Sequence, residues 1–365
     1  MPSSDKYKKE LADKQKRVGS ALEGLVSSIE PITGSDNPSH YRNKVHAAFG
    51  VERGKIVAGT YEPGTHRIVD GGGSELENET AVAIIADIVK IASKYHMSVY
   101  NERTRQGFLR RVLIRTADGT GEVLVVVVVT DHMFPGKKNF VKTLVSKHPE
   151  IKSVVINVNR RTDSMILGEK SETAYGPGYI KDTLLGKTFS ISAESFYQVN
   201  REQAQKLYSK AYEYAALDEE SRVLDAYCGT GTIGICASDF CKEVVGVELN
   251  PRAVSDARHN IKNNGVDNVR IINADATEYM NEICSKEHFD VIILDPPREG
   301  TTPEFISACA KIAPSRIVYV SCNPETLVRD LKLFAGEGYK AVKAAPVDMF
   351  CGTEHIETVA LLSKL

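Results

Sequence analysis

The chain has 365 residues, of which 42% are hydrophobic and 26% charged, and its net charge is −2. This is the composition of a soluble globular protein that can bury a full core. The longest apolar run, Val123–Val129, is far too short to cross a bilayer, so a membrane-spanning function is excluded and a buried strand is predicted. The length predicts about two domains.

The charges are unevenly distributed. Residues 1–181 carry 27 Lys and Arg against 21 Asp and Glu, and the remaining residues carry 19 against 27. A basic front half suits contact with a polyanion. A chance imbalance of solvated faces is the alternative.

The cysteines and the N-terminus indicate the compartment. All seven cysteines lie from Cys228 onward, and none has the spacing of a zinc site. Their number is odd, and the Lys-rich N-terminus lacks the apolar segment of a signal peptide. Both features predict a reducing, cytoplasmic location.

Residues 1–40 are predicted to form a Lys-rich N-terminal helix. Leu11, Val18 and Leu22 have helical spacing, and the helix is expected to end near Pro31. Its lysines are candidates for phosphate contacts, with a solvated helix face as the alternative.

Residues 41–186 are predicted to form an α+β domain that binds RNA. Short turns join its strands, with few helices between them. Arg110 and Arg111 belong to a cluster of arginines that suits an RNA backbone. Strands are expected at residues 44–51, 55–60, 112–116, 121–130, 153–159 and 165–168, and helices at 79–95 and 136–147.

Residues 187–365 show regular alternation of strands and helices. This pattern predicts an α/β fold with a doubly wound, Rossmann-like parallel sheet. Its strands are expected at residues 222–225, 243–248, 269–273, 291–295, 317–321 and 340–347.

A nucleoside-binding pattern lies at three successive strand ends of this domain. Gly229 and Gly231 follow a strand that ends in Asp225, and such glycines let a backbone approach a ligand. Glu248 ends the next strand, where a carboxylate can accept hydrogen bonds from ribose hydroxyls. Asp275 follows the third strand, near the expected adenine. The arrangement is typical of S-adenosylmethionine-dependent methyltransferases, with a dehydrogenase as the alternative.

The sequence Asp-Pro-Pro-Arg at residues 295–298 limits which atoms are candidates for the methyl acceptor. An aromatic residue in the last position would indicate methylation of an exocyclic nitrogen. A cysteine after the proline would indicate methylation of cytosine carbon 5 in RNA. Neither is present, so both acceptors are disfavoured.

Cys322 and Glu357 favour carbon 5 of uracil as the acceptor. A thiolate at Cys322, just after the fifth strand, can add to uracil carbon 6 and make carbon 5 nucleophilic. Glu357 lies in an apolar segment where burial would raise its pKa, so it is a candidate to remove the carbon 5 proton. The alternatives are a small buried cysteine and a structural carboxylate.

Five motifs make the chain similar to the RNA 5-methyluridine methyltransferases, the uracil-5 enzymes of ribosomal and transfer RNA. Within this family it most resembles the 23S ribosomal RNA branch. The motifs are Ser-Phe-Tyr-Gln-Val-Asn at 195–200, Asp-Ala-Tyr-Cys-Gly-Thr-Gly at 225–231, Asp-Pro-Pro-Arg-Glu-Gly at 295–300, Ser-Cys-Asn-Pro at 321–324 and His-Ile-Glu at 355–357.

The resemblance implies roles for individual residues. Cys322 would be the nucleophile and Glu357 the proton acceptor. The residues implied for S-adenosylmethionine are Gln198, Tyr227, Gly229, Thr232, Glu248, Asp275 and Asp295. The residues expected to contact RNA are Phe196, Arg110, Arg111 and Arg298.

The chain departs from the family pattern in three ways, one of which is Phe-Cys-Gly-Thr at 350–353, where the family usually has a Pro-His or Pro-Gln sequence. Many ribosomal members begin with an RNA-binding β-barrel, for which there is no room before Tyr41. Many also hold an iron–sulfur cluster on four cysteines in the front half, where this chain has none. Glycines occupy residues 71–73, where the first cluster ligands are expected. The predicted cofactor is therefore S-adenosylmethionine, without an iron–sulfur cluster.

The sequence thus predicts methylation of carbon 5 of a flipped uridine in RNA, with 23S ribosomal RNA as the favoured substrate. One alternative is a tRNA uracil-5 methyltransferase acting on the T-loop. Another is an RNA-folding factor with incidental methylation. DNA is not expected as a partner, because no helix–turn–helix or base-reading module is visible.

Overall fold

The computed structural model describes residues 4–62, 64–65, 68–70 and 74–365. The chain divides into two compact units: a larger unit of Met1–Pro38, Leu184–Phe189 and Phe196–Leu365, and a smaller unit of Ser39–Thr183 and Ser190–Ser195. The glycines at 71–73, which bear on the iron–sulfur prediction, lie outside the described residues. No helix within the described ranges is long and apolar enough to span a bilayer.

The two units contain nine described helices and seventeen described strands. The helices are α1 (Ser4–Ala21), α2 (Glu79–Lys94), α3 (Lys137–Lys147), α4 (Arg201–Ala215), α5 (Thr232–Ala237), α6 (Pro251–Asn263), α7 (Ala276–Ile283), α8 (Pro303–Ile312) and α9 (Pro324–Gly336). The strands are β1 (Val26–Ile29), β2 (Lys44–Glu52), β3 (Lys55–Tyr61), β4 (Ile68–Asp70), β5 (Leu109–Thr116), β6 (Val123–Val129), β7 (Ile151–Val158), β8 (Lys170–Tyr175), β9 (Tyr179–Leu184), β10 (Lys187–Ser192), β11 (Arg222–Ala226), β12 (Glu243–Glu248), β13 (Val269–Asn273), β14 (Val291–Leu294), β15 (Arg316–Ser321), β16 (Tyr339–Val347) and β17 (Glu357–Lys364).

The larger unit is built on an eight-stranded sheet in the order β1-β16-β17-β15-β14-β11-β12-β13. Only β17 runs antiparallel to its neighbours, β15 and β16. From β11 the chain extends the sheet in one direction through β12 and β13, and in the other through β14 and β15. Such a reversal opens a crevice at the carboxyl ends of the strands, where α/β proteins bind ligands.

Short, well-capped turns follow the strands that border this crevice. The side chains of Asn250, Thr302 and Asn323 accept hydrogen bonds from backbone N–H groups at the starts of α6, α8 and α9. A proline follows each cap, and its fixed φ suits the first helical position. Each cap contributes about 1 kcal/mol. Cys322 lies between the end of β15 and the cap of α9, so its backbone is held on both sides.

The N-terminal helix is shorter than the sequence predicts. It ends at Ala21, and Gly24 adopts a left-handed φ of 73°, which turns the chain out of the helix. Val26–Ile29 is a strand that pairs in parallel with β16, with Val26 opposite Ala341. The apolar residues after Ala21 therefore pack against the sheet of the larger unit rather than continuing a helical face.

The smaller unit has a seven-stranded sheet in the order β4-β3-β2-β5-β6-β7-β8. All neighbouring pairs are antiparallel except β6 and β7. The helices α2 and α3 pack on one face, where Ile84, Ile88 and Phe140 join the valines of β6 in a single core. The predicted α+β arrangement of strands and few helices is confirmed.

One strand predicted in this unit is wrong. Residues 165–168 form a loop, and the edge strand β8 begins at Lys170 instead. The Asn157 side chain donates to the Gly168 carbonyl at 2.9 Å and accepts from the Gly168 N–H at 2.7 Å. Asn159 donates to the carbonyls of Met165 and Ile166. Asparagine side chains thus satisfy the backbone groups that a strand ladder would use.

Candidate active site

A cavity of about 840 Å³ lies in the larger unit at the point where the strand order reverses. Its walls come from the turn after β11, from the ends of β12, β14 and β15, and from the start of β17. Ten of the residues selected from the sequence line it together: Phe196, Gln198, Tyr227, Gly229, Thr232, Glu248, Asp295, Arg298, Cys322 and Glu357.

Asp275, a predicted cofactor residue, is not among the residues that line this cavity. One of its carboxylate oxygens accepts hydrogen bonds from the backbone N–H groups of Thr277 and Glu278, at 2.9 and 3.1 Å. Asp275 therefore caps α7. The sequence does carry a signal for this role, because an Asp followed three residues later by Glu is a helix-start pattern.

Arg110 and Arg111, the predicted RNA contacts, belong to the smaller unit. Arg110 is buried, and its Nη1 donates to the carbonyls of Asn159 and Arg161 at 2.6 and 2.9 Å. Arg111 is largely covered and lies 3.8 Å from the Glu102 carboxylate. Internal partners therefore occupy both guanidinium groups, which leaves little of either for a phosphate.

The turn after β11 is shaped for a ligand. Gly229 and Gly231 have φ values of 56° and 78°, which side chains with a Cβ rarely adopt. A Cβ on Gly229 would meet no atom within 4 Å, so the cavity reaches its backbone. Below the turn, the Asp225 carboxylate accepts from the Gly234 N–H at 2.8 Å and fixes the start of α5. Burial raises the pKa of Asp225 to about 8.

Glu248 is oriented by the same turn. Its Oε2 accepts from the Gly229 N–H at 3.0 Å and its Oε1 accepts from the Asn250 N–H at 2.7 Å. Each carboxylate oxygen keeps a second lone pair with which it can accept from a ligand, and Glu248 lines the cavity at the end of β12. An anchored carboxylate beside a bare glycine backbone fits the ribose of a nucleoside, so the residues present suit S-adenosylmethionine.

Cys322 and Glu357 are brought together by the pairing of β15 with β17. These strands are antiparallel, with Ser321 opposite Thr358. Cys322 follows Ser321 and Glu357 precedes Thr358, so they are the next opposed pair at the cavity end of the two strands. Opposed residues project to the same face of a sheet. The thiol and the carboxyl group therefore border the cavity as neighbours.

The acids of this cavity hold their protons tightly. The pKa of the Cys322 thiol is raised to about 11, chiefly by burial and also by the carboxyl groups of Glu357 and Asp295, while Arg298 opposes the rise. Burial also raises the pKa of Glu357 well above its usual range, with Asp295 adding to the effect and Arg298 opposing it. Burial raises the pKa of Asp295 to about 7. A cation entering the cavity would favour ionisation of all three groups.

Arg298 is the exposed cation of this cavity. Its Nη2 donates to Nδ1 of His355 at 3.0 Å. Its backbone carbonyl accepts from Asn323 Nδ2 and Thr326 Oγ1, both at 3.2 Å, which ties the Pro-Pro-Arg turn to α9. Phe196 borders the same cavity with 66% of its surface exposed, so its ring is available for stacking.

Tyr208 and Phe350 are among the lining residues that were not selected from the sequence. Tyr208 reaches the cavity from α4, and its hydroxyl lies 3.1 Å from Thr232 Oγ1. Phe350 packs edge-on against His355 with ring centroids 6.1 Å apart. No sequence pattern identifies Tyr208 as a cavity residue, because it lies in an ordinary amphipathic helix. The sequence marks Phe350 only through its place in the Phe-Cys-Gly-Thr segment at 350–353, which departs from the family pattern.

The helix α1 holds the loop that carries Phe350 and His355. Lys14 is buried, and its Nζ donates to Asp348 Oδ1 at 2.6 Å and to the Phe350 carbonyl at 3.2 Å. Tyr7 donates to the other oxygen of Asp348 at 2.8 Å. The Asp348 carboxylate is fully buried, so these two side chains compensate its charge.

We expect Lys14→Met to destabilise the unliganded protein by about 3–5 kcal/mol, because it leaves the buried Asp348 carboxylate without its cation. The measurement is the free energy of thermal unfolding. Lys16→Met, an exposed lysine two residues along the same helix, is the matched control and should change stability by less than about 0.5 kcal/mol. Equal stability of the two variants would show that the buried pair contributes nothing.

The chain is similar to known RNA methyltransferases. The model of the tRNA (uracil-5-)-methyltransferase family matches residues 178–365. A relative from Clostridium tetani, named only as an uncharacterized RNA methyltransferase, is 38% identical over 361 residues, which cover 98% of this chain and 78% of the relative. A second, from Bacillus cereus, is 39% identical and covers 98% and 79%.

A solved structure shares the fold of nearly the whole chain. It is the tRNA (uracil-54, C5)-methyltransferase of Pyrococcus abyssi in complex with S-adenosyl-L-homocysteine, with a TM-score of 0.82, 29% identity and coverage of 98% of this chain and 83% of the other. The predicted family, fold class and use of S-adenosylmethionine are confirmed. The chain belongs to the tRNA (uracil-5-)-methyltransferase family and is an RNA methyltransferase that uses S-adenosylmethionine.

Proposed function

We propose that this protein methylates carbon 5 of a specific uridine in RNA, with Cys322 as the nucleophile and Glu357 as the proton acceptor. The observation that carries the proposal is the opposed placement of these two side chains at the ends of β15 and β17. They border the same cavity as the glycine turn and the anchored Glu248. A nucleophile, a base and a nucleoside site thus share one space.

The chemistry follows from the unreactive nature of uracil carbon 5. S-adenosylmethionine, when bound, would supply an electrophilic methyl group, whose bond to sulfur breaks as S-adenosyl-L-homocysteine leaves with the electron pair. The Cys322 thiolate forms a bond to carbon 6, and the electron pair of the carbon 5–carbon 6 double bond becomes available at carbon 5 for the new carbon–carbon bond. The Glu357 carboxylate then takes the carbon 5 proton. The electrons of that carbon–hydrogen bond restore the double bond and expel the Cys322 thiolate.

The remaining cavity residues position the reactants. Gln198, Tyr227 and Thr232 would hold the cofactor together with Gly229, Glu248 and Asp295; these are the six of the seven predicted contacts that border the cavity. Phe196 would stack on the flipped uracil, since its exposed ring offers an apolar face. Arg298 would favour the thiolate of Cys322, because its positive charge lowers the pKa of that thiol.

The RNA class has two candidates. The sequence motifs favour 23S ribosomal RNA, whereas the Pyrococcus abyssi protein of similar structure is a tRNA uracil-54 enzyme. In either RNA the target must leave its stack to reach Cys322, so we propose a uridine in a loop. We further propose that the smaller unit, within residues 41–186, binds the flanking RNA and that exposed lysines of α1 also contact RNA.

The test uses total RNA containing 5-fluorouridine, incubated with the purified protein and S-adenosylmethionine. Fluorine on carbon 5 is not removed as a proton, so attack by Cys322 followed by methyl transfer should leave a covalent protein–RNA adduct. Sequencing the trapped RNA decides between ribosomal and transfer RNA. If protein that binds the cofactor gives no adduct with any RNA, the uracil-5 mechanism is wrong.

A further inference from the structure

A second large cavity, of about 820 Å³, lies wholly within the smaller unit. This volume is in the range of cavities that hold small ligands. Its lining combines the aromatic side chains of Tyr61 and Tyr100 with the cationic side chains of Arg53 and Arg103. The methyl-transfer chemistry uses none of these residues.

Tyr100 is fixed in place by Arg110. The Arg110 guanidinium lies over the Tyr100 ring, 4.3 Å from its centroid. The guanidinium is itself held by the carbonyls of Asn159 and Arg161, so it cannot turn away from the ring. A buried cation therefore supports one face of an aromatic ring that lines the cavity.

Tyr61 is fixed in a similar way. Its hydroxyl donates to Glu102 Oε1 at 2.9 Å. The Arg111 guanidinium lies 5.6 Å from the Tyr61 ring centroid and 3.8 Å from the same carboxylate. Two aromatic rings with fixed orientations are thus present before any ligand binds, and such preorganisation lowers the entropy cost of binding.

The loop that follows Tyr100 presents cations at the rim. The Asn101 side chain accepts from the backbone N–H groups of Arg103 and Thr104, at 2.9 and 3.0 Å. A Cβ on Gly107 would lie 2.1 Å from the Val99 carbonyl, so the loop closes tightly at its base. Arg103 and Arg105 are both exposed on this loop. The side chains of Arg103 and Arg105 are therefore exposed to solvent on a loop whose backbone is constrained.

The rim cations are available to a ligand. Among the described residues, no ion pair involves Arg53, Arg103 or Arg105. Two carboxylates also border the cavity, Glu52 and Glu102. The Tyr61 hydroxyl and Arg111 compensate Glu102, and Glu52 has a partner of its own. Two arginines without an ion pair among the described residues, Arg53 and Arg103, thus line the cavity together with these two acids.

We propose that this cavity binds one unpaired nucleotide of the substrate RNA, other than the uridine that is methylated. The base would stack against Tyr100 or Tyr61, and Arg53 and Arg103 would contact the adjoining phosphates. Stacking on fixed aromatic rings beside exposed cations is how proteins grip single-stranded RNA. The proposal rests on the proposed function only in that the ligand is the substrate RNA, since binding requires no methyl transfer.

This site would give the arginines selected from the sequence an indirect role. Arg110 and Arg111 are covered and hold the two tyrosines, whereas Arg103 and Arg105 are exposed to the RNA. Binding at this site would require a second unpaired base in the substrate RNA besides the methylated uridine. The site therefore acts as a determinant of substrate choice.

The first experiment compares Tyr100→Leu with Tyr100→Phe, using the RNA captured in the 5-fluorouridine assay. The dissociation constant of unmodified RNA is measured without S-adenosylmethionine, and KM and kcat are measured with it. We expect Tyr100→Leu to weaken binding and raise KM by roughly tenfold or more, the range for loss of a base–aromatic stack, with kcat unchanged. Tyr100→Phe keeps the ring and should behave like the wild type. Equal affinities for the three proteins would overturn the proposal.

A second pair of variants tests the cavity while leaving Tyr100 and its packing unchanged. Arg103→Glu and Lys142→Glu make the same charge change at exposed positions of the smaller unit, but only Arg103 borders the cavity. We expect Arg103→Glu to weaken RNA binding several-fold more than Lys142→Glu. Equal effects would mean that the unit attracts RNA only through its general charge, and the nucleotide site would be rejected.

Photo-crosslinking separates this proposal from the proposed function. RNA containing 5-iodouridine is irradiated with the wild-type protein without cofactor, and the crosslinked peptides are identified by mass spectrometry. Crosslinks to Tyr61 or Tyr100 support the site even if no Cys322 adduct forms with 5-fluorouridine RNA. A Cys322 adduct together with crosslinks only outside the smaller unit would leave the proposed function intact and overturn the second site.

Discussion

Replacement of Cys322 by alanine should abolish methyl transfer to RNA, lowering the rate by at least about 10⁴-fold, because alanine has no thiol to form and release the bond to carbon 6. The half-buried side chain borders the cavity, so its truncation should leave the fold intact. The measurement is transfer of a labelled methyl group from S-adenosylmethionine to the RNA captured in the 5-fluorouridine assay. The dissociation constants for cofactor and RNA should remain those of the wild type.

Cys228→Ala is the matched control for this prediction. Cys228 is a second cysteine that lines the same cavity, but burial raises its pKa far above the usual range and its sulfur packs over Gly246. The control should keep its activity within a few-fold. Methylation by Cys322→Ala at a rate near that of the wild type would exclude Cys322 as the nucleophile.

The same variant addresses the alternative of an RNA-folding factor. Cells that carry Cys322→Ala in place of the wild-type chain should lose the modified uridine. If RNA maturation also fails while RNA binding is intact, catalysis is the required activity. If maturation proceeds normally without the modification, the binding function is the required one.

The positions of the site residues were predictable where function follows from local sequence. Glu248 is the last residue of one short apolar strand and Cys322 directly follows another, each before a capped helix, and parallel strands place their carboxyl ends at one edge of a sheet. The apolar strand and the helix cap, both visible in the local sequence, were therefore enough to predict that these residues share one cavity. The same reasoning predicted the Rossmann-like order of strands and helices between residues 222 and 347.

The residues that were misplaced depend on contacts distant in sequence. Arg110 is held by carbonyls of residues 159 and 161, and no local pattern distinguishes such an arginine from one that faces a phosphate. Lys14 pairs with Asp348, more than 300 residues away in the sequence. Its burial could not be predicted, because the Lys-rich segment around it has the composition of a solvated helix face. In both cases tertiary contacts decide the role of a charged side chain, and sequence spacing carries no information about them.

Replacement of Glu357 by glutamine should convert the protein into one that reacts with RNA but does not release it. Glutamine fills the same buried space but cannot take a proton, so elimination of the Cys322 thiolate stops after methyl transfer. We expect turnover to fall by about 10²–10⁴-fold, the usual contribution of a general base. A covalent protein–RNA adduct should appear on a denaturing gel with natural RNA that contains no fluorine. The matched control is Glu299→Gln, an exposed carboxylate that borders the same cavity, which should turn over normally without an adduct.

The pH dependence of the wild type provides an independent test of the same two groups. Cys322 attacks and Glu357 accepts a proton only when each is deprotonated, and the pKa values of both are raised. The single-turnover rate should therefore rise with pH across the neutral range. A group whose pKa lies above the pH becomes more deprotonated, and so more reactive, as the pH increases. In Glu357→Gln, adduct formation should still rise with pH, since Cys322 alone governs that step, while adduct release should stay slow at every pH. Release that recovers at alkaline pH would mean that hydroxide or another side chain accepts the proton, and Glu357 would lose its assigned role.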